Sequence, residues 1–236
     1  IAIGQSAMSS ADGGEGNNIA IGIQAMNLTN DDAADHNIAM GYQAGKALAG
    51  NNNIALGQTA MNNASNAADG VVAIGKFAAQ GAMTSGADGT VAIGQQALQS
   101  LTSGTKNVAI GLTAGDSITT MGETTLVGYS AGGALTSGTG QNVAIGSEAL
   151  SSATSVQYTT AVGYKALQGI SAAAADDNQT TGIGYAAGYN ITTGIRNTAI
   201  GAQALLDNQT ANDNTAVGQL ALENTTGAEN TAIGRM

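Results

Sequence analysis

The chain has no cysteine, no proline and no tryptophan, and only one of its 236 residues is phenylalanine. Without cysteine, disulfide bonds cannot compensate for a weak core. Without proline, the 35 glycines do not indicate collagen or a proline-rich linker. Aromatic residues make up only 3% of the chain. This composition argues against a thick globular core and favours a narrow core of small aliphatic side chains, as in a solenoid.

Positive charge is also scarce. The chain has six lysine and arginine residues and sixteen acidic residues, so its net charge is −10. The basic residues are scattered singly, whereas a nucleic-acid groove requires a cluster of them. We therefore expect no nucleic-acid partner. No apolar run approaches the roughly 18 residues of a transmembrane helix, so the chain is not expected to span a membrane. It begins inside a motif without methionine, and we expect it to be part of a longer chain.

One motif, Asn107-Val108-Ala109-Ile110-Gly111-Leu112-Thr113-Ala114, recurs along the whole sequence. Each of its fourteen copies contains one glycine, and successive glycines are 16 to 21 residues apart. Such self-similarity indicates a repeat architecture. No interval resembles a linker, so we predict one array over residues 1–236. The fourteen glycines are Gly4, Gly22, Gly41, Gly57, Gly75, Gly94, Gly111, Gly128, Gly146, Gly163, Gly184, Gly201, Gly218 and Gly234.

Each copy contains an alternating segment directly before its glycine, which we number as offset zero. Offsets −3 and −1 hold aliphatic or threonine side chains, and offset −2 is alanine in twelve copies. This period of two predicts a short strand, and we expect the side chains at −3 and −1 to fill the coil interior. Offset +3 is always alanine and offset +4 is usually leucine or methionine. Where +4 is glycine, we expect a leucine or isoleucine at +7 to fill the same space. The core residues predicted in this way include Ile21, Ile74, Ile93, Ile110, Ile145, Ile200, Leu98, Leu135 and Leu150.

Corners are predicted at the two ends of each strand. Asparagine stands at −4 in eight of the thirteen copies that have this offset. It tolerates left-handed backbone angles, and stacked asparagines can form a side-chain ladder. The predicted corners include Asn107, Gly111, Asn142, Gly146, Asn197 and Gly201. The polar segments that begin at +5 hold fifteen of the sixteen acidic residues, so we expect negative charge along one edge of the array.

The pattern Asn-Val-Ala-Ile-Gly-x-x-Ala resembles the head repeats of trimeric autotransporter adhesins of the YadA type. The copy from Asn214 to Asn230 is also similar to repeats of phage tail fibres. The resemblance extends over essentially the whole chain, although the intervals here are longer than in the adhesin heads. It implies an all-β fold, a left-handed parallel β-roll with two short strands per coil. It also implies a side-by-side homotrimer.

Two sets of residues are candidate interchain contacts. Ala109, Ala144 and Ala199 lie at −2, on the face opposite the predicted core. Tyr129 and Tyr164 lie at +1, as do Tyr42 and Tyr185. Tyrosine is enriched in contact surfaces. The four tyrosines are therefore either a ligand-binding stripe or an exposed or interchain position that tolerates aromatic side chains.

The sequence does not contain an enzyme's residue pattern. His36 is the only histidine, and a metal site formed with Asp31, Asp32 and Asp35 competes with a solvated loop. The pair Asp176–Asp177 is either a weak calcium site or a hydrated loop. A β-helix acyltransferase would need a six-residue period, which is absent, and calcium-binding rolls need a different repeat. We predict no catalytic residue, no cofactor and no metal.

These observations predict a structural fibre segment of an extracellular adhesin or phage tail fibre, which mediates attachment to a surface or host. The alternative is a β-solenoid subunit that polymerises end to end into an extracellular filament. The expected partners are copies of the chain itself and a host-surface protein or glycan.

Overall fold

A computed structural model describes residues 1–10, 16–28, 34–63, 67–136, 138–171 and 178–235. Within these residues the chain is all-β: its strands are short, the strands that pair are parallel neighbours in chain order, and the only helix is one 3-10 turn at Ser85–Ala87. The predicted parallel β-solenoid is thereby confirmed. The strands are β1 (Ala2–Ile3), β2 (Ile19–Ile21), β3 (Ile38–Met40), β4 (Ile54–Leu56), β5 (Val72–Ile74), β6 (Val91–Ile93), β7 (Val108–Ile110), β8 (Thr125–Val127), β9 (Val143–Ile145), β10 (Thr160–Val162), β11 (Thr181–Ile183), β12 (Thr198–Ile200), β13 (Thr215–Val217) and β14 (Thr231–Ile233).

The coils group into two compact units, Ile1–Glu123 and Thr124–Met236. The first unit contains β1 to β7 and the second contains β8 to β14. The repeat itself does not mark this division. Both units have the same coil, with a three-residue strand in nearly every copy.

Within each unit, equivalent offsets of successive coils pair with each other. In the first unit Val91 pairs with Val108 and Ile93 pairs with Ile110. In the second unit Thr198 pairs with Thr215 by the same register. Each offset therefore forms a column of equivalent side chains, one from each coil.

The strand alanines point into the coil. Ala109, Ala144 and Ala199 are completely buried within a single chain, so they cannot contact another copy. The prediction that these alanines form interchain contacts is wrong. The interior of the coil is narrow, and alanine at −2 shares it with the buried alanine at +3 and an aliphatic side chain from +4 or +7. Close packing in so thin a core leaves room for a methyl group at −2.

The isoleucines of the strands point outward, so their predicted place in the core is also wrong. Because side chains alternate along a strand, an inward alanine at −2 places −3 and −1 outside. The exposed fractions of Ile110, Ile145 and Ile200 are 38%, 40% and 37%. The other three predicted core isoleucines are half-buried: Ile21, Ile74 and Ile93.

The core consists of the alanine columns together with larger side chains from the opposite wall. Leu98, Leu135 and Leu150 are completely buried there. A Cβ atom added at Gly132 would lie 2.7 Å from Cδ1 of Leu135 and 2.8 Å from Cδ2 of Leu126. The side chain at +7 thus occupies the space next to a +4 glycine, which confirms the predicted sharing for this copy. Leu126 replaces the usual alanine at −2 in the same coil.

The wall opposite the strand is a turn segment, whereas the resemblance to adhesin heads implied a second strand. Residues at +2 and +4 have left-handed backbone angles, such as φ 59° at Glu148 and φ 53° at Leu150. Coils still bond to each other here, because the Leu150 amide donates to the Ala166 carbonyl at 3.1 Å. A left-handed residue costs about 1–2 kcal/mol, and burying a leucine contributes about 1.5–3 kcal/mol. Burial therefore offsets the strain at +4.

The glycine corners combine an unusual backbone angle with close contact between coils. The φ angles of Gly111, Gly146 and Gly201 are 141°, 134° and 129°. A Cβ atom at Gly201 would lie 2.6 Å from the carbonyl oxygen of Gly218 in the next coil. Both features exclude a side chain, so the structure supports the assignment of these glycines as corners.

The asparagines at −4 form the expected ladder between coils. Asn197 is buried, its Nδ2 donates to the Ala211 carbonyl at 2.9 Å, and its Oδ1 accepts the Asn214 amide at 3.0 Å. Asn107 and Asn142 are buried too, and their Nδ2 atoms donate to backbone carbonyls in the following stretch of chain. The left-handed residue of this corner is at −5, as at Arg196 (φ 54°).

The first prediction concerns the shared core space. Leu135→Ala should lower the free energy of unfolding by about 2–5 kcal/mol, because it leaves a cavity in place of a fully buried side chain. Gln219→Ala, at an exposed position of the same unit, should change it by at most about 0.5 kcal/mol. Urea denaturation of both variants measures the difference. Equal midpoints would show that Leu135 contributes nothing to the core.

The second prediction concerns the asparagine ladder. Asn53 is completely buried, its Nδ2 donates to the Ala68 carbonyl at 2.9 Å, and its Oδ1 accepts the Val71 amide at 2.8 Å. Asn53→Ala should leave both backbone groups without this partner. Each unsatisfied group should lower the free energy of unfolding by about 1–3 kcal/mol. Hydrogen exchange at the Val71 amide should accelerate accordingly. Other copies carry threonine at this offset, so Asn53→Thr should restore part of the protection of the Val71 amide. Unchanged exchange at this amide in Asn53→Ala would contradict the ladder.

Candidate interaction surface

The side chains at −3 and −1 form an outward surface on each unit, which we call the strand face. No charged residue occurs at either offset in any copy. The first unit presents mainly isoleucine and valine. In the second unit threonine replaces most of the residues at −3, while −1 stays valine or isoleucine. The −3 column of the second unit is Thr125, Val143, Thr160, Thr181, Thr198, Thr215 and Thr231.

Large apolar side chains of the strand face are accessible to solvent in both units. Met40 is 43% exposed in the first unit, and Ile183 is 38% exposed in the second. In-register pairing places each beside its equivalents, so the exposed groups are contiguous within a unit. Monomeric soluble proteins rarely expose contiguous apolar patches larger than a few hundred Å2. The strand face therefore has the character of an interaction surface.

Sequence reasoning missed this surface, although it identified the alternation that produces it. The signal was the uniformity of alanine at −2. A column that is alanine in twelve of fourteen copies is typical of tight packing inside a coil, while −3 and −1 tolerate side chains as different as threonine and methionine. Variation in size is more compatible with an outer surface than with a closely packed interior.

A row of side chains at +1 lies beside the strand face. Tyr129 and Tyr164 are exposed there, by 51% and 43%, and their interchain contact stays a prediction. In the second unit the rings of Tyr164 and Tyr185 stack, with centroids 5.7 Å apart and an angle of 18° between their planes. Adjacent coils thus bring together two residues that are 21 positions apart in sequence.

Acidic side chains on another edge of the coils are largely engaged within the array. Oδ1 of Asp69 accepts the Asn51 amide at 2.6 Å, and Oδ1 of Asp88 accepts the Asp69 amide at 2.9 Å. Across coils of the second unit, Arg196 pairs with Asp213 at 2.7 Å. The hydrogen bond from the guanidinium group lowers the pKa of the Asp213 carboxyl. These contacts order the polar edge, since each carboxylate bonds to a neighbouring coil.

The candidate metal sites receive no support from the described residues. His36 is exposed, and its Nε2 lies 3.3 Å from Nδ2 of Asn17. The described ranges contain no group of three or more histidine, cysteine or acidic side chains that could hold a metal ion. Asp31 and Asp32, as well as the pair Asp176–Asp177, lie outside the described residues.

Within the part of the chain that the structure describes, no helix has the length and apolar character needed to cross a membrane. Comparison with known proteins finds no protein-family model and no curated protein that matches the chain. The exposed strand face is therefore the feature of the molecule from which a function can be inferred.

Proposed function

We propose that the chain is a structural segment of an extracellular adhesin or phage tail fibre, in which copies of the chain associate side by side. The assembly is a homotrimer of left-handed β-rolls. It attaches the fibre to a surface or host and has no enzymatic role. The single observation that carries the proposal is the uncharged, largely apolar strand face that recurs in every coil.

The strand face suits a second copy of the same chain. Neighbouring strands of any copy are about 4.8 Å apart, so two parallel copies can match coil for coil along the face. Loop lengths differ between coils, but the strands pair in the same register throughout each unit. The spacing of the face is therefore independent of the loops.

Electrostatics also favours this surface over the others. The chain carries a net charge of −10, and two copies would repel each other if their acidic edges met. The acidic residues lie away from −3 and −1, where every side chain is neutral. Association through the strand face buries apolar area without desolvating a charge, which is the costly step in burying polar surface. The resemblance to adhesin heads supports three copies.

The third prediction tests side-by-side association. In light scattering, the folded protein should have about three times the chain mass of 23.0 kDa. The double variant Ile145→Lys, Ile200→Lys should dissociate, because it would bury unpaired charges in the interface. Ser155→Lys, at an exposed position of the same unit outside the strand face, should leave the mass unchanged.

Two outcomes would contradict this assembly. A folded parent protein at the mass of one chain would show that the strand face stays open. Concentration-dependent filaments that are insensitive to the two lysines would favour the end-to-end alternative, because stacking buries the end coils instead of the strand face.

The fourth prediction tests the location of the fibre. Antibodies raised against the folded segment should label intact producing cells or virus particles, because an attachment fibre must face outward. Labelling that appears only after the cells or particles are opened would contradict the proposed role, whatever the oligomeric state.

A further inference from the structure

One cavity of the second unit, which we call the tyrosine pocket, combines aromatic rings with polar side chains. Its volume is about 250 Å3, and its lining includes Tyr164, Lys165, Tyr185, Tyr189 and Gln203. Drug-sized ligands occupy pockets of roughly 300–1,000 Å3, so this one fits a single ring. Its lining comes from offsets +1, +2 and +5, with none from the strand face. Association through the strand face alone therefore leaves the lining residues accessible, so ligand binding here is the alternative to the interchain contact predicted for Tyr164.

The stacked tyrosines leave aromatic surface available beside the pocket. In the +1 row, Tyr164 and Tyr185 stand between two small residues, Ser147 before them and Ala202 after them. Each ring uses one face for the pair. The other face of the Tyr185 ring is directed along the row towards Ala202, whose side chain is only a methyl group. Tyr185 is 56% exposed, as this arrangement requires.

Polar contacts fix a cation at the same place. The Lys165 Nζ atom lies 5.3 Å from the ring centre of Tyr164 and 6.0 Å from that of Tyr189. It also pairs with Glu148 at 3.5 Å. Gln168 donates to the same carboxylate at 3.0 Å and thereby holds it in position. A hydrogen bond with Tyr164 is the main cause that raises the pKa of Lys165.

We propose that the tyrosine pocket binds a neutral hexopyranose unit of a glycan, with C–H groups of the sugar packed on the ring of Tyr185. Lys165 and Gln203 supply hydrogen bonds to sugar hydroxyl groups, and the Tyr189 hydroxyl adds another. This inference rests on the proposed attachment function and deepens it, because it names the class of ligand at the attachment surface. A sugar ring suits the site because it offers an apolar face of C–H groups and a rim of hydroxyls.

Charge favours a neutral sugar over an acidic one. Glu148 already neutralises Lys165, and the chain as a whole carries a net charge of −10. The negative charge of the chain would therefore repel the carboxylate of a uronate or sialate. No uncompensated cation among the described lining residues of the pocket would attract it. A flat aromatic ligand would use the Tyr185 face but would leave the lysine and the glutamine amide without hydroxyl partners, which costs affinity in a desolvated site.

The test titrates the full chain with the methyl glycosides of glucose, galactose and mannose, and with methyl glucuronide and indole as competing chemistries. Saturation-transfer NMR detects contact with sugar ring protons. Tyrosine fluorescence reports affinity directly for the nonfluorescent sugars, because the chain contains no tryptophan. At least one neutral glycoside should bind, and more tightly than the glucuronide and indole. Tyr185→Ala should weaken that binding by about tenfold, while Tyr185→Phe should retain it.

Tyr42→Ala is the matched control. Tyr42 has the same offset and is 47% exposed in the first unit, where its neighbours in the +1 row are Ile23 and Gln58. Its replacement should leave glycoside binding unchanged. No saturation transfer to any neutral glycoside, undiminished binding by Tyr185→Ala, or tighter binding of glucuronide or indole would each overturn the assignment.

Light scattering on the same samples separates this inference from the proposed assembly. Tyr185→Ala should keep the oligomeric mass of the parent protein while it loses the sugar. A parent protein with the mass of one chain that still binds the glycoside would refute the trimer and leave the pocket assignment standing. The reverse result, an intact trimer without sugar binding, would refute the pocket alone.

Discussion

Backbone contact between successive coils at the glycine corner is the constraint on which the rest of the structure depends. The Gly218 amide donates to the Ile200 carbonyl at 2.7 Å, and a Cβ at Gly201 would meet the Gly218 carbonyl. Coils that touch at this point can stack in only one register. Equivalent offsets then form columns, so hydrogen bonds such as those of the asparagine ladder repeat from coil to coil.

The same stacking explains why apolar side chains appear on both sides of the strand. A coil of 16 to 21 residues encloses little volume, and the alanines at −2 and +3 with one larger aliphatic group nearly fill it. Isoleucine and valine are left for the outside, where the β-branched shape suits a strand. The strand face is thus a consequence of a narrow core, and its proposed role in association provides the burial that the interior cannot.

The sequence predicted the period, the position of each strand, the glycine corners, the ladder and the partnership of Gly132 with Leu135. It did not predict which face of the strand lies inside, because alternation separates two faces without assigning them, and here both faces are apolar. For that reason Ile110 was predicted inside the coil and Ala109 outside it, whereas the structure places them the other way round. The tyrosine row was visible at one offset. The pocket was not, because Lys165, Tyr185 and Gln203 come from three coils and meet only through stacking.

The register between coils also has a genetic consequence. Ile183 and Ile200 occupy the same offset, so removal of residues 184–200 would join Ile183 to Gly201 in the environment that Gly184 had before. Recombination between repeats of the gene can therefore delete or duplicate a whole coil while equivalent offsets of the remaining coils stay paired. The number of coils can therefore change one at a time during evolution, while the backbone pairing between coils keeps the same pattern.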